Sequence, residues 1–423
     1  MRAALPILLN QAVTLALGLV SLKLINRFVP PDVNGAYALF LTLTQVGTLL
    51  THSGLSNHAT RYWQRENHHA GTYVRFLAAA SARVLWPLTL LLLAITFALA
   101  AVRREWIWVW ILPLLLVSNA ALALNLVGTG AFNADQSFWK VFWLTQLGNA
   151  GRTFLPILFA LATQMNFVAL SAGFTLHGVL LLSGLVALFI WAFRTPKPEA
   201  DLNQKWIREL KDYGRPYALL GAGAWLLQFA DRWVVEGFYG QEPAGQFALA
   251  ASLGTIIPTM VMPALMQWVF PGIFRRADLA KTREDWIELA RSCDRITAAF
   301  LLISIAGLLA LWAASPWLIG WLISEKYVPA LAMLVPAGFA ALTSQVNQFY
   351  YLLLQGQHDS ASMVKVMLAV SGVKTLGSIL AACVSLSALM AWLIVSVVIG
   401  GWLGRWLIRR VALDSPDSPR HPV

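Results

Sequence analysis

Stretches of about 20 mostly apolar residues recur along the whole chain, and that is the length a helix needs to cross the hydrocarbon of a bilayer. They fall at roughly 4–29, 35–58, 73–101, 107–127, 139–162 and 168–193, then 214–237, 245–271, 295–323, 330–354, 363–384 and 388–408. Composition agrees, with 58% hydrophobic residues, 12% charged residues and a mean hydropathy of +0.64. The predicted fold class is an all-α polytopic membrane protein of about twelve transmembrane helices in two pseudo-symmetric six-helix bundles. The first apolar stretch after Arg2 runs on without a cleavage-site pattern, so it reads as a permanent span and not as a signal peptide.

In a soluble protein a formal net charge of +11 would suggest nucleic acid or another acidic partner. Here the basic residues follow the membrane. With the N-terminus inside, the cytoplasmic loops and span ends collect most of the Lys and Arg, from Arg2, Arg61 and Arg65 through Lys197 and Lys281 to Arg405, Arg409, Arg410 and Arg420. The other side holds only Arg27, Arg103, Arg104 and Lys326. This asymmetry predicts both termini in the cytoplasm and explains the charge without nucleic acid. Tryptophans mark the span ends: Trp106, Trp108 and Trp110 open the fourth, Trp312, Trp317 and Trp321 close the ninth, and Trp402 with Trp406 close the last.

Other chemistry is thin. Cys293 and Cys383 stand alone and support neither a disulfide framework nor a thiolate metal site. His58, His68 and His69 lack the spacing and acidic companions of a metal site, and Gly128-Thr129-Gly130 reads as a turn and not a phosphate loop. No catalytic constellation emerges, and no cofactor is expected.

The halves echo one another at an offset of 210 residues. Pro6 matches Pro216, and Gly35-Ala36-Tyr37-Ala38-Leu39 matches Gly245-Gln246-Phe247-Ala248-Leu249. Six crossings per half return the chain to its starting side, so this is a parallel repeat about an axis along the membrane normal, with substrate expected where the repeats meet. The domains predicted are an N-terminal lobe at 1–194, a cytoplasmic linker at 195–214, a C-terminal lobe at 215–411 and a tail at 412–423. Within the linker Leu202, Trp206, Ile207, Leu210 and Tyr213 recur at helical spacing opposite Lys205, Arg208 and Lys211. A helix lying on the inner leaflet fits that pattern, and a solvated connector fits it equally.

Five short elements carry a resemblance: Gly35-Ala36-Tyr37, Ser53-Gly54-Leu55, Asp231-Arg232, Ala244-Gly245-Gln246-Phe247 and Leu354-Gln355-Gly356. With twelve spans and six-plus-six organisation, the chain resembles over nearly its full length an oligosaccharide flippase of the multidrug/oligosaccharidyl-lipid/polysaccharide exporter superfamily. The resemblance implies two six-helix lobes around a central, cationic cavity, alternately open to cytoplasm and periplasm. It also implies a lipid-linked oligosaccharide as cargo, an undecaprenyl-pyrophosphate glycan moved outward across the bacterial inner membrane. Polysaccharide polymerase and other assembly proteins are the partners it suggests beyond the membrane lipids.

Lys23, Arg83, Arg152, Arg232 and Lys374 lie inside predicted spans, where a cation costs about 2.5 to 3.5 kcal/mol on insertion scales. Such groups face a wet cavity or an anionic ligand rather than lipid, so all five are candidates for binding substrate. Ser371, Lys374, Thr375 and Ser378 share one face of the eleventh span, which points Lys374 to a lumen. Gln146, Asn149 and Arg152 step by three residues along the fifth. On the seventh, Gln228, Asp231, Arg232 and Glu236 share an arc, and for Arg232 a local ion pair competes with ligand contact. Asp231 and Glu236 are also candidates for ion coupling. Arg83 has little polar company, so snorkelling competes. Lys23 is opposed to the polar stripe Asn10, Thr14, Gly18 and Ser21 on the first span, and both faces cannot line one lumen. His177 reads as a hydrogen-bonded packing residue, and Gln45, Thr48 and His52 as groups that bond neighbouring helices.

Three functions compete. A flippase needs cations for a pyrophosphate and a polar lumen for sugar. A cation-coupled multidrug exporter of the same fold should instead bury carboxylates, yet Asp32, Glu66, Glu105, Asp135 and Glu199 of the first half all lie in loops. A membrane glycan polymerase or ligase needs a sizeable outer loop, and the predicted outer loops are short.

Overall fold

Why the spans break where they do is written in single residues. The structure, a computed structural model, describes residues 4–66, 69–135, 137–194, 198–280, 282–318, 321–356 and 359–414. His68, Lys197, Lys281, Arg420 and the tail from 415 onward lie outside the described residues. The regular elements are helices. The first predicted span is α1 (Ala4–Phe28), and the second is α2 (Pro31–Val46) and α3 (Ser53–Glu66) joined by a π-helical turn at Gly47–His52. Asn119 causes that turn: its Oδ1 accepts the Gly47 N–H at 2.8 Å and sits 2.3 Å from where a Cβ on residue 47 would be.

There follow α4 (Ala70–Arg103), the short α5 (Ile107–Trp110), α6 (Leu112–Ala134), α7 (Phe138–Ala162), α8 (Phe167–Arg194) and the linker helix α9 (Ala200–Glu209). The seventh span is α10 (Arg215–Tyr239), and the eighth is α11 (Gln241–Gly254) and α12 (Ile256–Leu279). Pro258 has no N–H to offer the Gly254 carbonyl four residues back and crowds it, so the helix divides at that point. After α13 (Arg283–Ala313) and α14 (Ser315–Leu318), the tenth span is α15 (Ala330–Gln345) and α16 (Gln348–Gly356). The break between them frees Asn347, whose Nδ2 donates to the Gly400 carbonyl at 3.0 Å. The last two spans are α17 (Ser360–Val384) and α18 (Leu386–Asp414).

Among the described residues, 9 helices are long and apolar enough to cross a membrane. Helices α7 and α10 have the length but fall short in apolarity, because they carry Gln146, Asn149 and Arg152, and Asp231, Arg232 and Glu236. The chain is an all-α, multi-pass membrane protein.

Two compact units divide the chain: Met1–Val29 with Ala36–Ala222, and Pro30–Gly35 with Gly223–Val423. In the first, α7 runs along α1 and α8, and α6 along α3 and α8. In the second, α17 pairs with α18, and α15 with α11 and α18. Counted as spans, second with fourth, fourth with sixth and fifth with sixth recur as eighth with tenth, tenth with twelfth and eleventh with twelfth. Three pairings of the first unit are therefore repeated in the second, as the 210-residue echo predicts, whereas the close approach of α1 to α7 has no equally close counterpart between α10 and α17.

The unit boundaries differ from those read in the sequence because of two contacts. Pro30–Gly35 belongs with the second unit, where Asn34 Nδ2 donates to the Gly245 carbonyl at 3.0 Å. There a Cβ on Gly35 would lie 2.0 Å from the Gln241 carbonyl oxygen and one on Gly245 1.8 Å from that of Pro31, so both glycines are required by backbone approach.

The linker belongs with the first unit. Trp206 is fully buried beside Tyr73, Phe76, Leu55 and Val127, its ring 5.1 Å from that of Tyr73 and 5.3 Å from that of Phe76. The apolar face of α9 thus covers protein, and is neither laid on lipid nor left in water. Glu66 secures the other side, accepting from Arg65 Nε at 2.8 Å and Lys205 Nζ at 3.2 Å, while Arg65 reaches Glu209 at 2.7 Å. Burial alone would raise the Glu66 carboxyl; the hydrogen bonds from Arg65 and Lys205 outweigh it and hold the group below the ordinary carboxylate range.

Candidate functional site

In the first unit the residues Gln146, Asn149 and Arg152 on α7 form a ladder of falling burial. Gln146 is buried, and its Nε2 donates to Asn10 Oδ1 at 2.7 Å and Thr14 Oγ1 at 3.1 Å on α1. Asn149, half-buried, donates to the same Thr14 hydroxyl at 3.2 Å. Arg152 tops the ladder with an exposed side chain, donating from Nη2 to Asn149 Oδ1 at 3.3 Å. Among the described residues no carboxylate pairs with Arg152.

The ladder also fixes the rotation of α1. Asn10 and Thr14 turn toward α7, and Lys23, nine residues after Thr14, points half a turn away and is exposed beside Arg27. Arg83 is exposed on α4 on the side that also bears Trp86 and Leu90, an apolar surface. The structure brings neither Lys23 nor Arg83 to the Arg152 ladder.

In the second unit the polar stripe of α17 meets α10. Lys374 Nζ lies 2.6 Å from Asp231 Oδ2 and also donates to the Leu227 carbonyl, while Ser378 Oγ donates to Asp231 Oδ1 at 2.9 Å. Lys374 is 2% exposed, and Ser371 and Ser378 are fully buried. The stripe expected to face a lumen is therefore turned into the helix contact, because a carboxylate waits opposite it. Trp392 Nε1 donates to the Lys374 carbonyl at 3.0 Å and ties α18 to the same point.

Asp231, one of the two acids that competed for Arg232, closes on Lys374 instead. The Arg232 guanidinium stands over the Phe229 ring at 5.7 Å, and its Nε is buried with no acceptor among the described residues. Glu236 is half-buried one turn further on. A second carboxylate of this unit, Asp294 on α13, gathers Tyr350 at 2.6 Å, Arg405 at 2.8 Å and Arg409.

His177, read as packing, is buried edge-on to Phe174 at 5.7 Å. Gly148 and Gly151 lie one turn apart on α7, and a Cβ at residue 151 would sit 2.5 Å from His177 Cδ2.

An arginine within a helix of a multi-pass membrane protein, with no acid paired to it among the described residues, is the setting in which the comparisons with known proteins are read. The family model for polysaccharide biosynthesis protein matches residues 2–276, and the chain belongs to that family. Its fold is similar to that of solved structures, among them a transporter of the MOP superfamily. An inward-facing multidrug resistance MATE family transporter of that superfamily aligns with a TM-score of 0.65 at 14% identity, over 96% of this chain and 96% of that one. MATE in the straight conformation gives 0.63 at 14% over 98% and 96%, and MATE in complex with MaD3S gives 0.64 at 15% over 98% and 96%. No protein in a search of curated sequences matches.

Proposed function

We propose that the chain is a flippase that carries an undecaprenyl-pyrophosphate-linked oligosaccharide from the cytoplasmic to the outer leaflet of a bacterial inner membrane, by alternating access and with both termini cytoplasmic. Arg152 is the observation that carries this reading. A guanidinium deep in a span, exposed and without a carboxylate, holds its charge available for a ligand, and its planar donor fork suits phosphate oxygens. Arg232, with a donor unspent, is a second contact of the same kind. Lys23 and Arg83 are further candidates along the path of the headgroup. The Lys374–Asp231 pair serves the cycle differently, as a latch that frees its lysine and its carboxylate only if α10 and α17 separate. Membership in a polysaccharide biosynthesis family supports a glycan cargo.

Asp231 favours a second reading, a cation-coupled multidrug exporter, since a buried carboxylate is what such a transporter uses. Lys374 already neutralises that carboxylate, which ranks this reading below the flippase.

The test is sidedness in cells. A deletion strain should lose a surface polysaccharide and accumulate its lipid-linked precursor on the cytoplasmic leaflet. Reintroduced wild-type protein should restore export, and well-expressed Arg152→Ala should not. Precursor found mainly on the outer leaflet of the deletion strain would place the block after translocation and sink the proposal.

A further inference from the structure

Helix α10 has two unlike faces in the second unit. The face toward α17 is marked by residues four apart: a Cβ on Gly223 would lie 2.5 Å from Met367 Cγ, the Leu227 carbonyl accepts from Lys374, and Asp231 holds Lys374 and Ser378. Trp225 and Phe229 come two residues after Gly223 and Leu227, about 200° round the helix, and so stand on the side away from α17. Gln228, Arg232 and Glu236 fall with them inside one arc of about 100°. Gln228 is exposed and the other four are half-buried. An amide, a guanidinium and a carboxylate in a span are costly to present to lipid, so this arc faces a wet space.

The groups on the arc follow a definite order. The Trp225 and Phe229 rings are 6.4 Å apart, one turn along the helix, and the Arg232 guanidinium stands over the Phe229 ring at 5.7 Å. Arg232 Nε is buried with no acceptor among the described residues. Phe229 therefore spaces a cation from an indole, and Gln228 lies on the indole side of the cation. An anion joined to a sugar has the matching order. The guanidinium suits a phosphate, and the C–H face of a sugar ring is apolar and slightly positive, complementary to the negative face of an indole. An amide both donates and accepts, as a sugar hydroxyl does. An aromatic cation would fit the rings but is opposed by Arg232.

We propose that this face of α10 is a sugar subsite: with a phosphate of the cargo on Arg232, the adjoining sugar stacks on Trp225 and bonds through a hydroxyl to Gln228, while Phe229 holds the guanidinium one turn further along. Glu236 lies beyond Arg232, on the side away from the sugar. The inference rests on the reading of Arg232 as a diphosphate contact and adds to it the place where the first sugar is recognised. Stacking reads the face of the ring and not the whole hydroxyl pattern, so the subsite accepts more than one sugar.

Titration calorimetry of the full-length protein in detergent tests it, with three probes: farnesyl pyrophosphate, and the same lipid carrying one glucose or one N-acetylglucosamine on the diphosphate. Wild type should bind both glycosylated probes roughly five- to tenfold tighter than the bare one, the scale of one aromatic stack. Trp225→Leu should lose that increment and keep the affinity for the bare probe, whereas Trp225→Phe should retain most of it. Gln228→Ala should lose about threefold on the glycosylated probes alone. Arg232→Ala should weaken all three probes alike. No increment in wild type, or one that survives Trp225→Leu, overturns the subsite and leaves the diphosphate reading standing. Displacement of the glycosylated probes by tetraphenylphosphonium overturns it in favour of an organic cation. Failure of all three probes to bind wild type sinks the diphosphate reading itself. Should Trp225→Leu not fold, the wild-type increment and Gln228→Ala still decide.

Discussion

Arg152 in the first unit and Lys374 in the second are both basic groups near the middle of a span, and they differ in one neighbour. Lys374 has a carboxylate at 2.6 Å, a backbone carbonyl and a serine-bonded partner, all buried. Arg152 has an amide at 3.3 Å and no acid among the described residues. The first unit keeps its carboxylate pairing at the end of α3, where Glu66 binds Arg65 and Lys205. The lesson is that a cation in a membrane span can be a finished structure or an open valence, and the acid decides which.

The largest expected effect comes from unbalancing the finished pair. Lys374→Ala or Asp231→Asn leaves one charge buried alone and should cost about 3 to 5 kcal/mol, read as lower membrane accumulation and earlier thermal unfolding in detergent. The double replacement Lys374→Met with Asp231→Leu should recover most of that loss. If either single variant is as stable as wild type, the pair is not what holds α10 to α17. Arg152→Ala should behave oppositely, with normal accumulation and a transport rate reduced roughly 30-fold or more, the scale set by losing a charged hydrogen-bond partner.

A sharper version gives the first unit what the second has. Asn149→Asp places a carboxylate one turn from Arg152, where the amide now accepts its hydrogen bond, and should lower transport about tenfold without harming the fold. Undiminished export by that variant would show that an available charge at residue 152 is not required. Arg152→Lys should cost less, a few-fold, since the charge stays and only the fork is lost.

Smallest is Glu66→Gln, worth at most about 1 kcal/mol because Arg65 and Lys205 remain 41% and 43% exposed. Since the folded carboxyl is held low, its stabilisation is present above the ordinary carboxylate range and is lost as pH falls through the lowered value. Hydrogen exchange in α9 should quicken both in the variant and on acidification.

The spans were legible because their length and apolarity are properties of the sequence alone. The interruptions were legible only in part. Pro258 announces its break, whereas the turn at Gly47 depends on Asn119, 72 residues away. The same division runs through the site. The polar stripe around Lys374 could be read from spacing, but not that it closes on Asp231, because α10 meets α17 at a sequence separation of 147 residues. Gln146, Asn149 and Arg152 meet no acid among the described residues, and their three-residue steps reappear as the ladder beside α1. The linker's amphipathic face was visible too, and only its destination was hidden, since Tyr73, Phe76, Leu55 and Val127 come from three other helices.

That destination bears on how the polypeptide can be cut. Trp206 and the Glu66 pairs hold α9 on the first unit by side chains alone, so the peptide bonds just before residue 200 are not what keeps it there. Two polypeptides ending and beginning in that stretch, expressed together, should find each other through the same aromatic seat and rebuild one folded protein. The covalent join at this point is a convenience of synthesis, while recognition between the pieces is already written into α9.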